Sequence, residues 1–149
     1  MKVWERAVRF EEVDAARIVF FAHYAAFAHE AMEDLFSDLQ GGYARLILER
    51  KVGLPAVDLK VRYLAPLRYG DRMRIETRTL RLGNRSAQLG YRVLRGDGVL
   101  CAELEHTVVT SDLEALVSCA MPTDVRAVFE RHLDPLDPRE GGTHESASA

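Results

Sequence analysis

The chain has 149 residues, of which 48% are hydrophobic and 29% are charged. This balance indicates a single folded domain that buries its own core, and it excludes intrinsic disorder. The formal net charge of -3 argues against a nucleic-acid partner, because binding to phosphates depends on a basic excess or patch. No apolar run approaches the roughly 20 residues of a membrane-spanning helix, so no membrane partner is expected.

The cysteines of the chain are expected to form no disulfide, and its histidines are expected to form no metal site. Cys101 and Cys119 form no CxxC motif, and the chain becomes charged at its start instead of resembling a signal peptide, which predicts reduced thiols and a cytoplasmic protein. His29 and Glu33 are spaced as neighbours on one helix face, but no third ligand accompanies them, so we expect a surface pair and no metal site. His106 lies in an apolar pattern and is expected in the core or an interface.

The first part of the chain predicts one strand and then helices. Residues 3–10 are rich in Val, Trp and Phe, as is typical of a strand. Over residues 22–39 the apolar side chains recur at steps of three and four, which predicts a long helix with a wide buried face. The glycines at 41 and 42 are predicted to end this helix, and residues 43–51 are expected to form a shorter one.

The period then changes to two, which indicates strands. The first of these covers 57–63, and its alternation predicts one buried face. That face contains Val57, Leu59, Val61 and Tyr63. Further strands are predicted over 72–79, 86–95 and 99–110, joined by short turns.

The order of these elements predicts an α+β domain. A strand, a long helix and four strands with short connections favour an antiparallel, curled sheet of about five strands wrapped around one long helix. A closing helix is expected from 123 or 124 to 132, so the folded domain is predicted to span 1–133 and a polar, flexible tail to span 134–149. Since such a sheet leaves an edge strand unpaired, oligomerisation is expected.

Asp14 stands between the first strand and the long helix. The free N–H groups at the start of a helix favour negative charge. A carboxylate that attacks or deprotonates, placed beside donors for an oxyanion, is a minimal site for acyl transfer. The alternative is that Asp14 only caps a turn or the helix, which is a common use of aspartate.

Two separated segments resemble one known family. Residues 14–24 read DAARIVFFAHY and residues 63–71 read YLAPLRYGD. They resemble the hotdog fold and, within it, the acyl-CoA thioesterases of the 4-hydroxybenzoyl-CoA thioesterase type. That family has an Asp after its first strand, a glycine-containing turn, an Asn-Tyr pair that opens the helix, and a later Tyr…Pro…Tyr/Phe-Gly-Asp connection. The chain departs from the pattern at Val13, Arg17 and His23, where the family usually has Thr, Gly and Asn.

The resemblance implies roles for Asp14, Phe21, Arg85 and Ser86, and the departures at Arg17 and His23 bear on how the substrate is held. Asp14 would act on the thioester carbonyl as a nucleophile or general base, and the backbone N–H of Phe21 would hold the oxyanion. Arg17 would narrow the pocket or grip an acidic acyl group. His23 would hydrogen-bond the acyl group or Asp14, with a solvent-facing histidine as the alternative. A separate pair, Arg85 and Ser86, would meet the phosphates of coenzyme A, and here the alternative is a solvated hairpin arginine.

The implied function is an acyl-CoA thioesterase that releases a carboxylic acid and coenzyme A and needs no cofactor. Its sites are expected between the subunits of a homodimer or homotetramer. Two alternatives stay open, namely hydrolysis of acyl groups carried by an acyl-carrier protein and binding of an acyl thioester without cleavage. Neither the acyl group nor the choice between nucleophile and general base is determined by the sequence.

Overall fold

The computed structural model of the protein describes residues 1–134. Its α-helices are α1 (His23–Leu35), α2 (Gly42–Leu48) and α3 (Thr123–Arg131). Its strands are β1 (Lys2–Ala7), β2 (Val52–Gly53), β3 (Ala56–Tyr63), β4 (Arg72–Leu82), β5 (Ser86–Arg95), β6 (Leu100–Val109), β7 (Ser111–Asp112) and β8 (Val117–Ser118). Short 3-10 turns cover Phe10–Glu12 and Phe36–Asp38. No helix in this part of the chain has the length and apolar character needed to cross a membrane.

The main sheet has five strands in the order β1-β4-β5-β6-β3, and every neighbouring pair is antiparallel. A small second sheet joins β2, β7 and β8. The predicted α+β architecture with an antiparallel sheet of about five strands is therefore confirmed.

Alternating side chains make one face of the sheet apolar. Along β4, Met73 and Ile75 are buried, whereas Arg74 between them is exposed and approaches Glu5 of β1. Helix α1 packs against β4 and β1 and buries Phe27 among its other apolar residues. Each fully buried side chain of this kind contributes about 1.5–3 kcal/mol, so the seam between α1 and the sheet is a major source of stability.

The predicted burial of the β3 face is wrong for three of its four residues in the single chain, and only Val61 packs against the core. Val57, Leu59 and Tyr63 are 60%, 40% and 51% exposed. Leu59 pairs with the buried His106 of β6 and therefore lies on the helix side of the sheet. However, β3 is an edge strand, and α1 lies over β1 and β4, which are at the other side of the sheet. Val61 packs against the core and Tyr63 meets Tyr24 of α1, but the described residues leave Val57 and Leu59 exposed.

The end of the long helix also differs from the prediction. Helix α1 ends at Leu35 and continues as a 3-10 turn, and the backbone is extended at Leu39. Gly41 does not end this helix but opens α2, with a φ of 79° that glycine adopts without strain. The side chain of Arg45 occupies the space that a Cβ atom at Gly41 would need.

The C-terminal segment returns to the main sheet. The Asp134 N–H donates to the Thr79 carbonyl oxygen over 2.8 Å, and the Thr79 N–H donates to the His132 carbonyl oxygen over 2.9 Å. The last described residues thereby lie along the part of β4 that β1 does not reach. The rest of the predicted tail, 135–149, lies outside the described residues.

Candidate active site

A tight loop between β1 and α1 carries Asp14. Val13 and Val19 form an isolated antiparallel bridge that closes the loop. Within it, the Asp14 N–H donates to the Ile18 carbonyl oxygen over 3.0 Å, and the Arg17 N–H donates to the Asp14 carbonyl oxygen over 2.9 Å. This loop, residues 13–19, is called the Asp14 loop below.

Only one of the two carboxylate oxygens of Asp14 is hydrogen-bonded to the described residues. Its Oδ1 accepts a hydrogen bond from the Ala16 N–H at 2.8 Å, which is the local turn contact expected of a capping aspartate. No hydrogen bond among the described residues uses Oδ2, and the side chain is exposed. The turn contact and a chemical role are thus compatible, because one oxygen orients the side chain and the other makes no hydrogen bond with the described residues.

Free backbone donors lie directly after the loop. The Phe20 N–H donates to the Glu12 carbonyl oxygen, and the His23 N–H donates to the Phe20 carbonyl oxygen. Between them, the N–H groups of Phe21 and Ala22 have no acceptor among the described residues. Unpaired N–H groups at the start of a helix attract negative charge. Phe21 therefore presents the type of donor that an oxyanion needs, and no side chain caps α1 in its place.

Tyr63 holds the peptide that carries this donor, a contact that sequence reasoning missed. Its hydroxyl donates to the Phe21 carbonyl oxygen over 3.0 Å, and its ring meets Tyr24 edge-on at 5.2 Å between centroids. The only sequence signal was that Tyr63 opens the second segment of the family resemblance.

Arg17 and His23 lie on either side of the donor segment. Arg17 is exposed, has a φ of 67°, and its guanidinium makes no hydrogen bond or ion pair with the described residues. The ring of His23 is half-buried against the edge of Phe20, at 6.1 Å between centroids, and makes no described hydrogen bond to Asp14. Arg17 is therefore a cation without a partner among the described residues, and His23 packs at the helix start.

Arg85 and Ser86 lie at the opposite end of the sheet. Arg85 belongs to the turn between β4 and β5, and its Nη1 donates to the Ser118 Oγ over 2.9 Å. The Asp14 loop contacts the other end, where the Val19 N–H donates to the Leu67 carbonyl oxygen. The 10 residues of β5 separate the two ends by about 33 Å, at roughly 3.3 Å per residue. One chain does not bring the two groups together.

A buried ionic cluster next to the loop was also missed. Arg6 of β1 donates to the carboxylates of both Glu12 and Glu30, over 2.6 to 2.9 Å. Burial by itself raises the pKa of Glu12, but hydrogen bonds from Arg6 and from the Arg9 N–H outweigh it and lower that pKa. Local patterns give no signal for such a cluster, because Glu30 lies 24 residues beyond Arg6 and on another element.

The other titratable pairs follow the sequence predictions. His29 and Glu33 form an exposed pair on α1 at 3.7 Å. His106 is buried, and burial lowers its pKa, while its Nδ1 shares a hydrogen bond of 3.1 Å with the hydroxyl of Tyr91. Within residues 1–134 no three His, Cys, Asp or Glu side chains cluster as metal ligands would.

A family model described as the thioesterase-like superfamily matches residues 8–129, which include the Asp14 loop, the long helix and most of α3. The chain belongs to this superfamily. The predicted hotdog fold and the predicted activity as a thioester hydrolase are thereby confirmed.

Individual relatives of this thioesterase agree with the family match. The 1,4-dihydroxy-2-naphthoyl-CoA hydrolase of Thermosynechococcus vestitus is 32% identical over 108 residues, which are 71% of this chain and 74% of that protein. The acyl-CoA thioester hydrolase YbgC of Escherichia coli is 27% identical over 128 residues, 86% of this chain and 95% of that protein. The structure of BH1999 gentisyl-coenzyme A thioesterase has a TM-score of 0.77 and 30% identity, covering 84% of this chain and 99% of that one.

Proposed function

We propose that this thioesterase hydrolyses acyl-CoA thioesters to a carboxylic acid and coenzyme A, with Asp14 as the reacting carboxylate. The proposal is carried by two groups that make no hydrogen bond with the described residues, the Oδ2 of Asp14 and, directly after its short loop, the N–H of Phe21. A carboxylate and an oxyanion donor are the two groups that attack on a thioester requires.

The proposed reaction needs only these groups and water. The Phe21 N–H donates to the thioester carbonyl oxygen and stabilises the negative charge that develops there. Asp14 either attacks the carbonyl carbon, giving an anhydride that water then hydrolyses, or removes a proton from the attacking water. In both routes the carbon–sulfur bond breaks and coenzyme A leaves as its thiolate. The proposal therefore includes no metal and no redox cofactor.

We infer that the acyl group is aromatic. Phe20 and Phe21 are 40% and 63% exposed beside the Asp14 loop, and their rings lie 4.7 Å apart between centroids. Aromatic pairs of this kind favour a further ring by stacking or edge contact. Two of the relatives carry names with hydroxylated aromatic acyl groups, 1,4-dihydroxy-2-naphthoyl-CoA and gentisyl-coenzyme A, which supports the same class for this chain.

We also infer that the complete site forms between subunits of a homodimer or a larger homo-oligomer. The phosphate-binding roles of Arg85 and Ser86 require it, since both lie about one strand length from Asp14 in their own chain. The exposed Val57 and Leu59 on the apolar face of β3 support it independently. We further propose that residues 1–133 form the folded domain. We also propose that the protein is cytoplasmic, which agrees with the free thiols of Cys101 and Cys119.

Asp14→Asn tests the assignment. It keeps the turn contact to Ala16 but removes the charge, so we expect kcat to fall about 100- to 10,000-fold while acyl-CoA binding and thermal stability persist. Asp112→Asn is the matched control, because Asp112 makes the same kind of turn contact, to the Glu114 N–H at 2.9 Å, far from the loop. Full turnover of aromatic and aliphatic acyl-CoAs by Asp14→Asn contradicts the proposal.

The same assay separates the other readings of the site. Replacing Phe21 by its α-hydroxy acid analogue deletes the N–H and keeps the ring, and we expect it to lower kcat about 100- to 1,000-fold. Phe21→Ala keeps the N–H and leaves this part of kcat intact. Turnover only of thioesters on an acyl-carrier protein would favour that substrate, whereas tight binding without turnover in the unaltered protein would favour a binding module.

A further inference from the structure

The Arg6 guanidinium is shared between two carboxylates in a nearly closed space. Its Nη1 and Nη2 donate to Glu12 over 2.7 and 2.6 Å, and its Nε and Nη2 donate to Glu30 over 2.8 and 2.9 Å. The side chains of Arg6, Glu12 and Glu30 are 10%, 7% and 30% exposed. The guanidinium also lies 5.1 Å from the ring centroid of Phe27, in the buried face of α1. These three residues are called the Arg6 cluster below.

The cluster joins the two ends of the Asp14 loop. Glu12 directly precedes the loop, and its carboxylate also accepts the Arg9 N–H over 2.7 Å. Its backbone carbonyl accepts the Phe20 N–H over 2.9 Å, immediately before the candidate oxyanion donor. Glu30 belongs to α1, the helix that this donor segment opens. One cation therefore connects the residue before the loop with the helix after it.

Apart from the cluster, the loop is held at its ends, by the Val13–Val19 bridge and by the burial of Val19 in the core. Residues 14–18 make their described backbone hydrogen bonds with one another, through Asp14, Arg17 and Ile18. Val19 also ties the loop to the connection between β3 and β4, because its N–H donates to the Leu67 carbonyl oxygen. The direction in which the Asp14 carboxylate points thus depends on how the loop ends are held.

We propose that the Arg6 cluster positions Asp14 and the Phe21 N–H relative to each other, and so acts as the positioning set for thioester hydrolysis. This inference rests on the proposed function of those two groups. The cluster residues do not touch the reacting atoms in this scheme. They act through the loop.

Energetics favour a positioning role over a purely stabilising one. Taking charges out of water costs several kcal/mol per ion, so a buried ionic cluster is a weak source of stability compared with apolar packing. What the guanidinium fork supplies is geometry, because it fixes two planar carboxylates in defined directions. A lysine at this position keeps the charge but loses the fork, which makes Arg6→Lys the informative variant.

We expect Arg6→Lys and Glu30→Gln to lower kcat by up to about 100-fold, because misplacing a reacting group by about 1 Å has an effect of this size. The KM of both variants should change less than about 3-fold. Amide hydrogen exchange across residues 13–22 should become faster in both variants. Arg50→Lys is the matched control, since Arg50 makes a similar fork to Asp124 over 2.6 and 2.9 Å away from the loop, and it should leave both readouts unchanged.

Each outcome decides the question. Faster loop exchange together with a fall in kcat at nearly constant KM supports the inference, provided that Arg50→Lys behaves as the unaltered protein. Unchanged exchange in Arg6→Lys and Glu30→Gln overturns it, and so does faster exchange with full kcat. If Asp14→Asn retains full turnover, the proposed function fails. That failure can be told apart from failure of the present inference, because hydrogen exchange still reports whether the Arg6 cluster orders the Asp14 loop.

Discussion

Arg17 occupies a backbone conformation that normally belongs to glycine. Its φ of 67° lies in the left-handed region, which costs a residue with a Cβ atom roughly 1–2 kcal/mol. The family pattern that the chain resembles has Gly at this point of the turn, where a left-handed backbone carries no such cost. An exposed guanidinium without an ion pair among the described residues is available to an anionic group on the substrate.

Arg17→Gly should therefore separate stability from substrate preference. Relief of the strain and the greater freedom of the unfolded chain offset each other, so we expect thermal stability to stay within about 1 kcal/mol of the original. Loss of the cation should raise KM for 4-carboxybenzoyl-CoA about 5-fold, the value of an exposed ion pair, without raising it for benzoyl-CoA.

Leu116→Gly is the control for Arg17→Gly, because Leu116 has a φ of 55° and is 81% exposed in the hairpin of β7 and β8. It should reproduce the effect on stability and leave both KM values unchanged. Equal changes in KM for the charged and the neutral substrate would instead indicate that Arg17 only narrows the pocket.

Single residues were predictable where the chemistry is local. The position of Asp14 before a helix start follows from the order of strand, turn and helix, whereas the choice of the Phe21 N–H as donor came from the family resemblance. Glu30, by contrast, is bound by Arg6, a contact that no local sequence pattern indicates. Arg6 and Glu30 meet only because β1 lies against α1, which no local pattern encodes.

At the scale of elements, one polar pair ties β5 to β6 inside the core. Tyr91 and His106 lie diagonally across these strands, because Tyr91 pairs with Leu104 and His106 pairs with Leu89. Both side chains are buried, at 2% and 7% exposure, and their hydrogen bond is 3.1 Å long. Burial raises the pKa of Tyr91 and lowers that of His106, which favours the neutral form of both.

Tyr91→Phe should destabilise the protein without affecting catalysis. It leaves a buried His106 nitrogen without its partner, which typically costs about 1–3 kcal/mol. Urea unfolding should show this loss, and kcat should stay unchanged. Tyr43→Phe is the control, since Tyr43 is half-buried and its hydroxyl makes no described hydrogen bond, so it should change the unfolding free energy by a few tenths of a kcal/mol at most. Equal losses in the two variants would show that the hydrogen bond adds nothing.

The positions of strands were more predictable than what covers them. A period of two correctly located β3, because alternation depends only on neighbouring residues. Whether Val57 and Leu59 are buried depends on the order of strands in the sheet, which places β3 at an edge beyond α1. Their sequence pattern is that of a buried face, and the single chain leaves that face open.

For the whole molecule, a second copy of the chain is the occupant that best fits this open face. A free edge strand with apolar side chains invites pairing with another chain, and symmetric dimers are the commonest way to satisfy it. The same association would bring Arg85 of one subunit nearer to the Asp14 loop of another, which a lone chain does not do. Activity and association are therefore expected to be lost together.

Leu59→Lys tests this coupling at the centre of β3. In a two-fold dimer the change occurs twice, and each buried leucine contributes about 1.5–3 kcal/mol, so the dissociation constant of the dimer should rise at least about 100-fold. Sedimentation velocity should then show monomers at concentrations where the original protein is associated, and kcat/KM should fall with them. Leu48→Lys is the control, because Leu48 is 68% exposed on α2 and should leave association unchanged. A monomeric Leu59→Lys variant with full activity would show that a complete site fits within one chain.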